Sequence, residues 1–340
     1  MTMKLLFAPM EGLTGYMYRN LHHSCFGGVD AYYMPFISAG QDFKFQNKER
    51  TDYSPLNNST IIDDGIHVIP QVMTNNAEAF CWAVMKLSES GYREVDLNLG
   101  CPSATVVSRG KGAGFLRNID VLDRFLEETF EGLSKAGNKD TAITVKTRIG
   151  ISDASEAGDI IRVYNRYPLS GVIIHPRVMK QAYEGTPDLE CFAACLEESR
   201  HPVCYNGDIR TVKDYEWISE KFGSRIYAVM IGRGLIADPA LAREIRGGSR
   251  IGKDELRSYT NKLYAGYKEL LGNDVYVLHK MKEIWTYVGR SFEGSEPYVH
   301  KILVSKRVDD YENAVQRLFD ECVIKAPGER ADAWKYDIYR

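Results

Sequence analysis

The sequence predicts an α/β protein: a (β/α)8 TIM barrel followed by a C-terminal all-α helical domain. Three observations carry this. Eight short apolar runs recur over the first 240 of 340 residues, amphipathic stretches separate most of them, and strand-like runs stop after about residue 250. Parallel strands buried on both faces read as near-continuous apolar runs, and eight strand–helix repeats occupy about 250 residues. The boundaries that follow are 1–245 for the barrel, 250–328 for the helical domain and 329–340 for a tail.

In chain order the runs are LLFAPM (5–10), AYYMPFI (31–37), IHVIPQVM (66–73), EVDLNLG (94–100), AITVKTRIG (142–150), GVIIHPR (171–177), PVCYNGD (202–208) and AVMIGRG (228–234). Helical patterns lie between them at 77–91, 120–137, 155–167 and 211–223. The second places Val121, Leu122, Phe125, Leu126, Thr129 and Phe130 on one face and closes on glycine, a helix stop. The stretch 38–65 is polar, contains Pro55 and shows no helical period. Beyond residue 250, DELRSYTNKLYAGYKELLG, VYVLHKMKEIWTYVGRSF and VDDYENAVQRLFDECV follow one another without a strand, as in a short bundle.

Composition is that of a soluble globular chain, 44% hydrophobic and 26% charged. The net charge is −3, which announces no general affinity for nucleic acid. Residues 1–240 hold 25 Lys+Arg against 30 Asp+Glu, and residues 241–340 hold 18 against 16, so the C-terminal hundred residues are the place for a basic patch. Seven cysteines without a CxxC pair suit free thiols in a reducing cytoplasm. Cys191 and Cys195 stand four apart on a helix pattern, yet no His or Cys cluster accompanies them and no metal site is expected. The N-terminus has no signal-type pattern, and no apolar run approaches the roughly 20 residues of a membrane helix.

Polar residues gather at the C-terminal ends of the runs: Pro9-Met10-Glu11, Gln71, Asn98 with Cys101, Lys146 with Arg148, His175 with Arg177, Asn206-Gly207-Asp208 and Gly232-Arg233. Active sites of such barrels are built at that end, and a packed core has little use for a ring of polar groups. Singly, several have plainer readings. Gln71 follows Pro70 and suits a loop, His175 suits a satisfied core histidine, and Asn206-Gly207 suits a turn. Gly232-Arg233 closes the last run, where barrels of this kind bind phosphate. The segment Arg109–Gly114 matches neither a P-loop nor a dinucleotide fingerprint and reads as a flexible loop near the site, or as a linker. Cys101 stands between Gly100 and Pro102, where a turn presents the thiol instead of burying it in a helix.

The motifs APMEG (8–12), PQV (70–72), DLNLGCPS (96–103), GKGAGFL (110–116), VKTR (145–148), IHPR (174–177), NGD (206–208) and MIGRG (230–234) resemble, in order and spacing, those of the tRNA-dihydrouridine synthases. The resemblance runs over about 4–240 by motif and about 250–325 as a helical domain. It implies FMN over the barrel mouth, NADPH as reductant, and reduction of the C5–C6 double bond of a uridine in tRNA. It implies Pro9, Met10 and Glu11 against the isoalloxazine and Gln71 and Lys146 on its ring edge. Asn206, Gly207, Asp208, Gly232 and Arg233 then hold the ribityl phosphate, with His175 beside the cofactor and Asn98 and Arg177 facing the substrate. Cys101 occupies the family's proton-donor position. A thiol with an unperturbed pKa of about 8.5 is mostly protonated at neutral pH and suits that task. In the helical domain Tyr259, Lys262, Tyr267, His279, Lys280, Lys282 and Arg290 mix cations with aromatics, as RNA-binding surfaces do and as ordinary helix faces also do. The rival reading is a TIM-barrel flavin oxidoreductase acting on a free pyrimidine or another small molecule; no protein partner and no membrane are implied.

Overall fold

Each of the eight apolar runs forms parallel strand, and two of them are divided at a proline. The computed structural model describes residues 3–326, with strands β1 (Lys4–Phe7), β2 (Ala31–Tyr33), β3 (Ile37–Ser38), β4 (His67–Ile69), β5 (Gln71–Met73), β6 (Glu94–Leu99), β7 (Ala142–Arg148), β8 (Gly171–His175), β9 (Val203–Asn206) and β10 (Ala228–Ile231). They form one sheet of ten strands in the order β3-β5-β6-β7-β8-β9-β10-β1-β2-β4. Pro35 separates β2 from β3, and Pro70 separates β4 from β5. Proline has no N–H to donate to the ladder, so each run breaks there. The pairing continues past both breaks: Ala31 and Tyr33 register with His67 and Ile69, and Ile37 with Val72. The order therefore begins and ends on the same two broken runs, and the sheet curls round.

The chain divides into two compact units, each assembled from separated segments. The first comprises the residues up to Pro9, Asp30–Asp208 and Phe222–Met230, and it holds the sheet. Register places Asp96 beside Thr144, Asn98 beside Lys146, and Lys146 beside Ile173, all on one face. That face is apolar along β8, β9, β10, β1, β2 and β4, where Leu6, Ala8, Ala31, Tyr33, Ile69, Ile173, Cys204, Ala228 and Met230 form one buried cluster. Along β5, β6 and β7 it is polar, carrying Gln71, Asp96, Asn98, Thr144 and Lys146.

Helices Ala77–Glu89, Ile119–Lys135, Ala157–Tyr164 and Val212–Phe222 fill the four predicted stretches, and Leu189–Glu198 carries the Cys191 and Cys195 pattern. Three start on a side-chain cap: Asn76 accepts from Ala79 N, Asn118 from Val121 N and Asp188 from Cys191 N. Such caps contribute about 1 kcal/mol each. The second helix buries Leu122, Phe125, Leu126, Thr129 and Leu133, but Val121 is exposed, against the expectation that it joins the buried face. The stretch 38–65, expected to lack helix, carries two short ones, Asn47–Tyr53 and Ser59–Asp63. At seven and five residues they are too brief to display a 3.6-residue period.

The second unit comprises Met10–Val29, Ile209–Lys221 and the described residues from Ile231 onward. Helix Tyr16–Phe26 packs on Lys253–Leu271, where Tyr259 meets Tyr18 at 6.2 Å and Phe26 at 4.9 Å, both edge-on. Helices Asp274–Val288, Glu296–Val304 and Val308–Glu321 complete the C-terminal part. The nine-residue helix Glu296–Val304 was not legible as a period; it opens with a proline in its first turn, where the missing N–H costs nothing. Trp285 is fully buried and its Nε1 donates to Tyr311 Oη at 2.9 Å. The tail 329–340 lies outside the described residues. Among the described residues no helix is long and apolar enough to cross a membrane.

Candidate active site

Alternation along β6 turns Asp96 and Asn98 to the same face as Thr144 and Lys146 on β7. There they build a hydrogen-bonded ladder. Thr144 Oγ1 donates to Asp96 Oδ1 at 3.0 Å, and Gln71 Nε2 donates to Asp96 Oδ2 at 2.7 Å. Asn98 Nδ2 donates to Gln71 Oε1 at 2.7 Å, and Asn98 Oδ1 accepts from the N–H groups of Gly100 and Cys101 at 3.1 and 3.0 Å. Burial pushes the Asp96 carboxyl up to about 7, with Gln71, Thr144 and Lys146 pulling the other way. Burial lowers Lys146 to about 8; Arg148 lowers it further and Asp96 supports its charge. Among the described residues nothing accepts a hydrogen bond from the Lys146 ammonium. Asp96 was not singled out in the sequence, although the alternation of EVDLNL was the available signal.

Cys101 is partly exposed on a turn held from several sides. Besides the bonds to Asn98, Arg148 Nε donates to Gly100 O at 2.9 Å and Ala113 N donates to Cys101 O at 3.0 Å. The glycine-rich segment is thus packed, where a flexible loop was expected: residues 112–116 are buried, and Asn75 Nδ2 donates to Arg109 O at 3.0 Å.

Arg177 is fully buried and all five of its N–H groups are engaged. Nε donates to Glu184 O; Nη1 faces Asp208 Oδ1 and His175 Nε2 at 3.2 and 3.3 Å; Nη2 donates to Asp208 Oδ2 and Gly185 O, both at 2.7 Å. Arginine only donates, so His175 Nε2 is the acceptor here and Nδ1 is left to carry the ring proton. Asp208 neutralises Arg177, and Asn206 Nδ2 donates to Met230 O at 2.8 Å, tying β9 to β10. A Cβ on Gly207 would lie 2.0 Å from Tyr205 Oη, so only glycine fits that turn. Tyr183 was missed in the sequence. Its ring lies 6.3 Å from His175 and 5.7 Å from Arg148 Cζ, a contact made only when the loop after β8 folds back.

Pro9, Gln71, Asn98, Cys101, Lys146, His175, Arg177, Asn206, Gly207 and Asp208 belong to the first unit; Met10, Glu11, Gly232 and Arg233 belong to the second. There Met10 O accepts from the N–H groups of Leu13 and Thr14, Glu11 is exposed, and Gly232 O accepts from Leu235 N. Of the expected RNA-facing set, Tyr259 and Tyr267 are core residues. Lys280 donates to Gly12 O, Lys282 to Ser305 O and Arg290 to Thr286 O. Lys262 and His279 are exposed. The Cys191 and Cys195 thiols share a hydrogen bond, and among the described residues no group of three or more His, Cys, Asp and Glu gathers to hold a metal.

The profile of the family described as Dihydrouridine synthase (Dus) matches residues 6–323. The tRNA-dihydrouridine(16) synthase of Pseudomonas syringae pv. tomato is 30% identical over 260 residues, 73% of this chain and 76% of that protein. Its namesake from Neisseria meningitidis serogroup B is 24% identical over 91% of this chain and 93% of its own length. A morphinone reductase mutant solved with tetrahydroNAD superposes with a TM-score of 0.53 at 9% identity, over 73% of this chain and 87% of its own, a likeness of fold alone. With a family profile spanning residues 6–323 and a relative 30% identical over 73% of its length, the chain belongs to the dihydrouridine synthase family.

Proposed function

We propose that this protein is a tRNA-dihydrouridine synthase that reduces the C5–C6 double bond of a uridine in tRNA, with FMN as resident cofactor and NADPH as reductant, on a closed (β/α)8 barrel. One observation carries the reading: a partly exposed thiol is held on a rigid turn within electrostatic reach of a lysine ammonium that has no acceptor of its own among the described residues. The half-apolar, half-polar face of the sheet fits a flavin, whose ring has apolar faces and a polar edge. When bound, FMN supplies the hydride for C6 of the uracil and takes its electrons from NADPH.

The chain's own residues do the rest. Lys146 offers fixed positive charge to the cofactor's ring edge, where preorganised charge stabilises developing negative charge. Gln71, oriented by Asp96 and Asn98, would bond the same edge. Cys101 gives its proton to C5 and regains one from water. His175, with Nε2 occupied by Arg177, presents Nδ1–H as a donor. Pro9, Met10 and Glu11 are assigned to the isoalloxazine, and Asn206, Gly207, Asp208, Gly232 and Arg233 to the ribityl phosphate, through the family motifs they occupy. Asn98 and Arg177 shape the uracil's surroundings through the backbone and side chains they hold.

The target base is drawn out of its stack to reach such a site. Arg109, in the glycine-rich segment, and Lys262, in the second unit, are exposed cations assigned to tRNA phosphate. Several relatives are named for position 16, so that uridine is the first to assay. Free thiols suit the reducing cytoplasm where tRNA is modified.

The test is direct. Purified protein is expected to be yellow, to release FMN on denaturation, to bleach with NADPH, and to form dihydrouridine in unmodified tRNA. A colourless protein that takes up no FMN, or a bleached one that leaves tRNA unchanged while reducing free pyrimidines, overturns the proposal.

A further inference from the structure

We infer that Gly112 and Ala113, in the glycine-rich segment after β6, form a buttress that sets the position of the Cys101 thiol, with Gly112 the positioning residue for proton delivery. This deepens the proposed function and rests on it for the identity of the acid.

The argument is one of contact. Gly112 has φ of +55°, in the left-handed region that glycine enters without cost. A Cβ there would lie 2.8 Å from Cys101 O, 2.9 Å from Val106 Cγ1 and 3.0 Å from Cys101 Cβ. Two of these three atoms belong to the cysteine itself, and one of them is the atom that bears the sulfur. The next residue, Ala113, donates its N–H to Cys101 O at 3.0 Å. From the opposite side Asn98 Oδ1 accepts from Cys101 N, and Arg148 Nε donates to Gly100 O. The cysteine backbone is thus clamped between the end of β6 and the glycine segment. Asn75 Nδ2 donates to Arg109 O and ties the start of the segment to the loop after β5. An acid must stand within hydrogen-bond reach of the carbon it protonates, and a shift of about 1 Å costs on the order of a hundredfold in rate. A thiol on an unsupported turn would not meet that tolerance; one pressed between two elements does.

The test compares Gly112→Ala with Gly137→Ala. Gly137 also has a positive φ (+75°), but a Cβ there meets nothing within 4 Å, so this variant carries the backbone strain alone. The first readout is alkylation of Cys101 by iodoacetamide in FMN-free protein, followed by peptide mass spectrometry. It needs no turnover, so it judges the buttress even if the proposed reaction is wrong. Gly112→Ala is expected to push the thiol outward and raise the alkylation rate at least threefold, with Gly137→Ala at the wild-type rate. In the loaded enzyme Gly112→Ala is expected to keep FMN affinity and NADPH oxidation within twofold while dihydrouridine formation falls at least tenfold. If Gly112→Ala does not fold, Asn75→Ala, which removes the donor to Arg109 O and adds no bulk, is expected to loosen the segment and move both readouts in the same direction. Cys101 alkylation within a factor of 1.5 of wild type in the folded variant, or dihydrouridine formation within twofold, overturns the inference.

Discussion

A thiol acts as an acid only where its proton and the carbon that takes it are fixed together, and the backbone that carries the Cys101 thiol is fixed by hydrogen bonds from two sides. The Asn98 carboxamide, the Arg148 guanidinium and the Ala113 N–H hold the turn. Replacing the sulfur should therefore leave the scaffold intact. Cys101→Ala is expected to retain FMN and its reduction by NADPH, and to lose roughly 10²–10⁴-fold in dihydrouridine formation, the usual contribution of a general acid; stopped-flow bleaching and tRNA digestion separate the two half-reactions. Cys101 and Lys146 were legible because each breaks a local rule, a thiol between Gly and Pro and a cation amid strand residues. Asp96 was hidden inside what read as an apolar run. Arg177 was legible as a strand-end cation, but the four groups that engage it were not. Lys280 and Lys282 show the same limit: composition marks a basic stretch, and only the fold reveals the carbonyls they reach.

At the scale of the element, the polar stripe on β5, β6 and β7 orders the site through a ladder that ends in two amides. Amide side chains have no readily exchanged acid–base pair, so the ladder orients groups and passes no proton toward Cys101. Its anchor is Asp96, held near 7 against an ordinary value of 3.8. A carboxyl raised in the folded state binds its proton more tightly there than in the unfolded chain. Its contribution is full below about 4 and is lost as pH rises through about 7. Asparagine at this position still accepts from Gln71 and donates to Thr144. Asp96→Asn is therefore expected to gain stability relative to wild type between about pH 4 and 7 and to hold that gain above; urea midpoints across that range measure it. A flat difference would mean that Asp96 ionises freely. The strands themselves were legible from apolar runs, and their division at Pro35 and Pro70 follows from a missing N–H that a hydrophobicity pattern does not register.

Over the whole molecule, texture showed that helices replace strands after residue 250, but it did not show that Met10–Val29 would join them. The reason is that helix Tyr16–Phe26 is recruited by a contact across more than two hundred residues, with Tyr259. No local period encodes such a partner. Ligand linkage adds a global prediction. FMN at about 100 times its dissociation constant is expected to stabilise the folded protein by about 2.7 kcal/mol, seen as a higher melting temperature for the yellow form than for the stripped one. A melting temperature indifferent to FMN would count against a resident flavin.

The two units are braided along the chain. The sheet is complete only when β10 reaches β1, and the helical core needs Tyr18 and Phe26, which precede most of the sheet in the chain. While the ribosome is still making the middle of the protein, the early helix waits with its aromatic side uncovered. A gene cut between the last strand and the first long C-terminal helix would not yield two autonomous products. The fragments should aggregate separately and recover only when produced together.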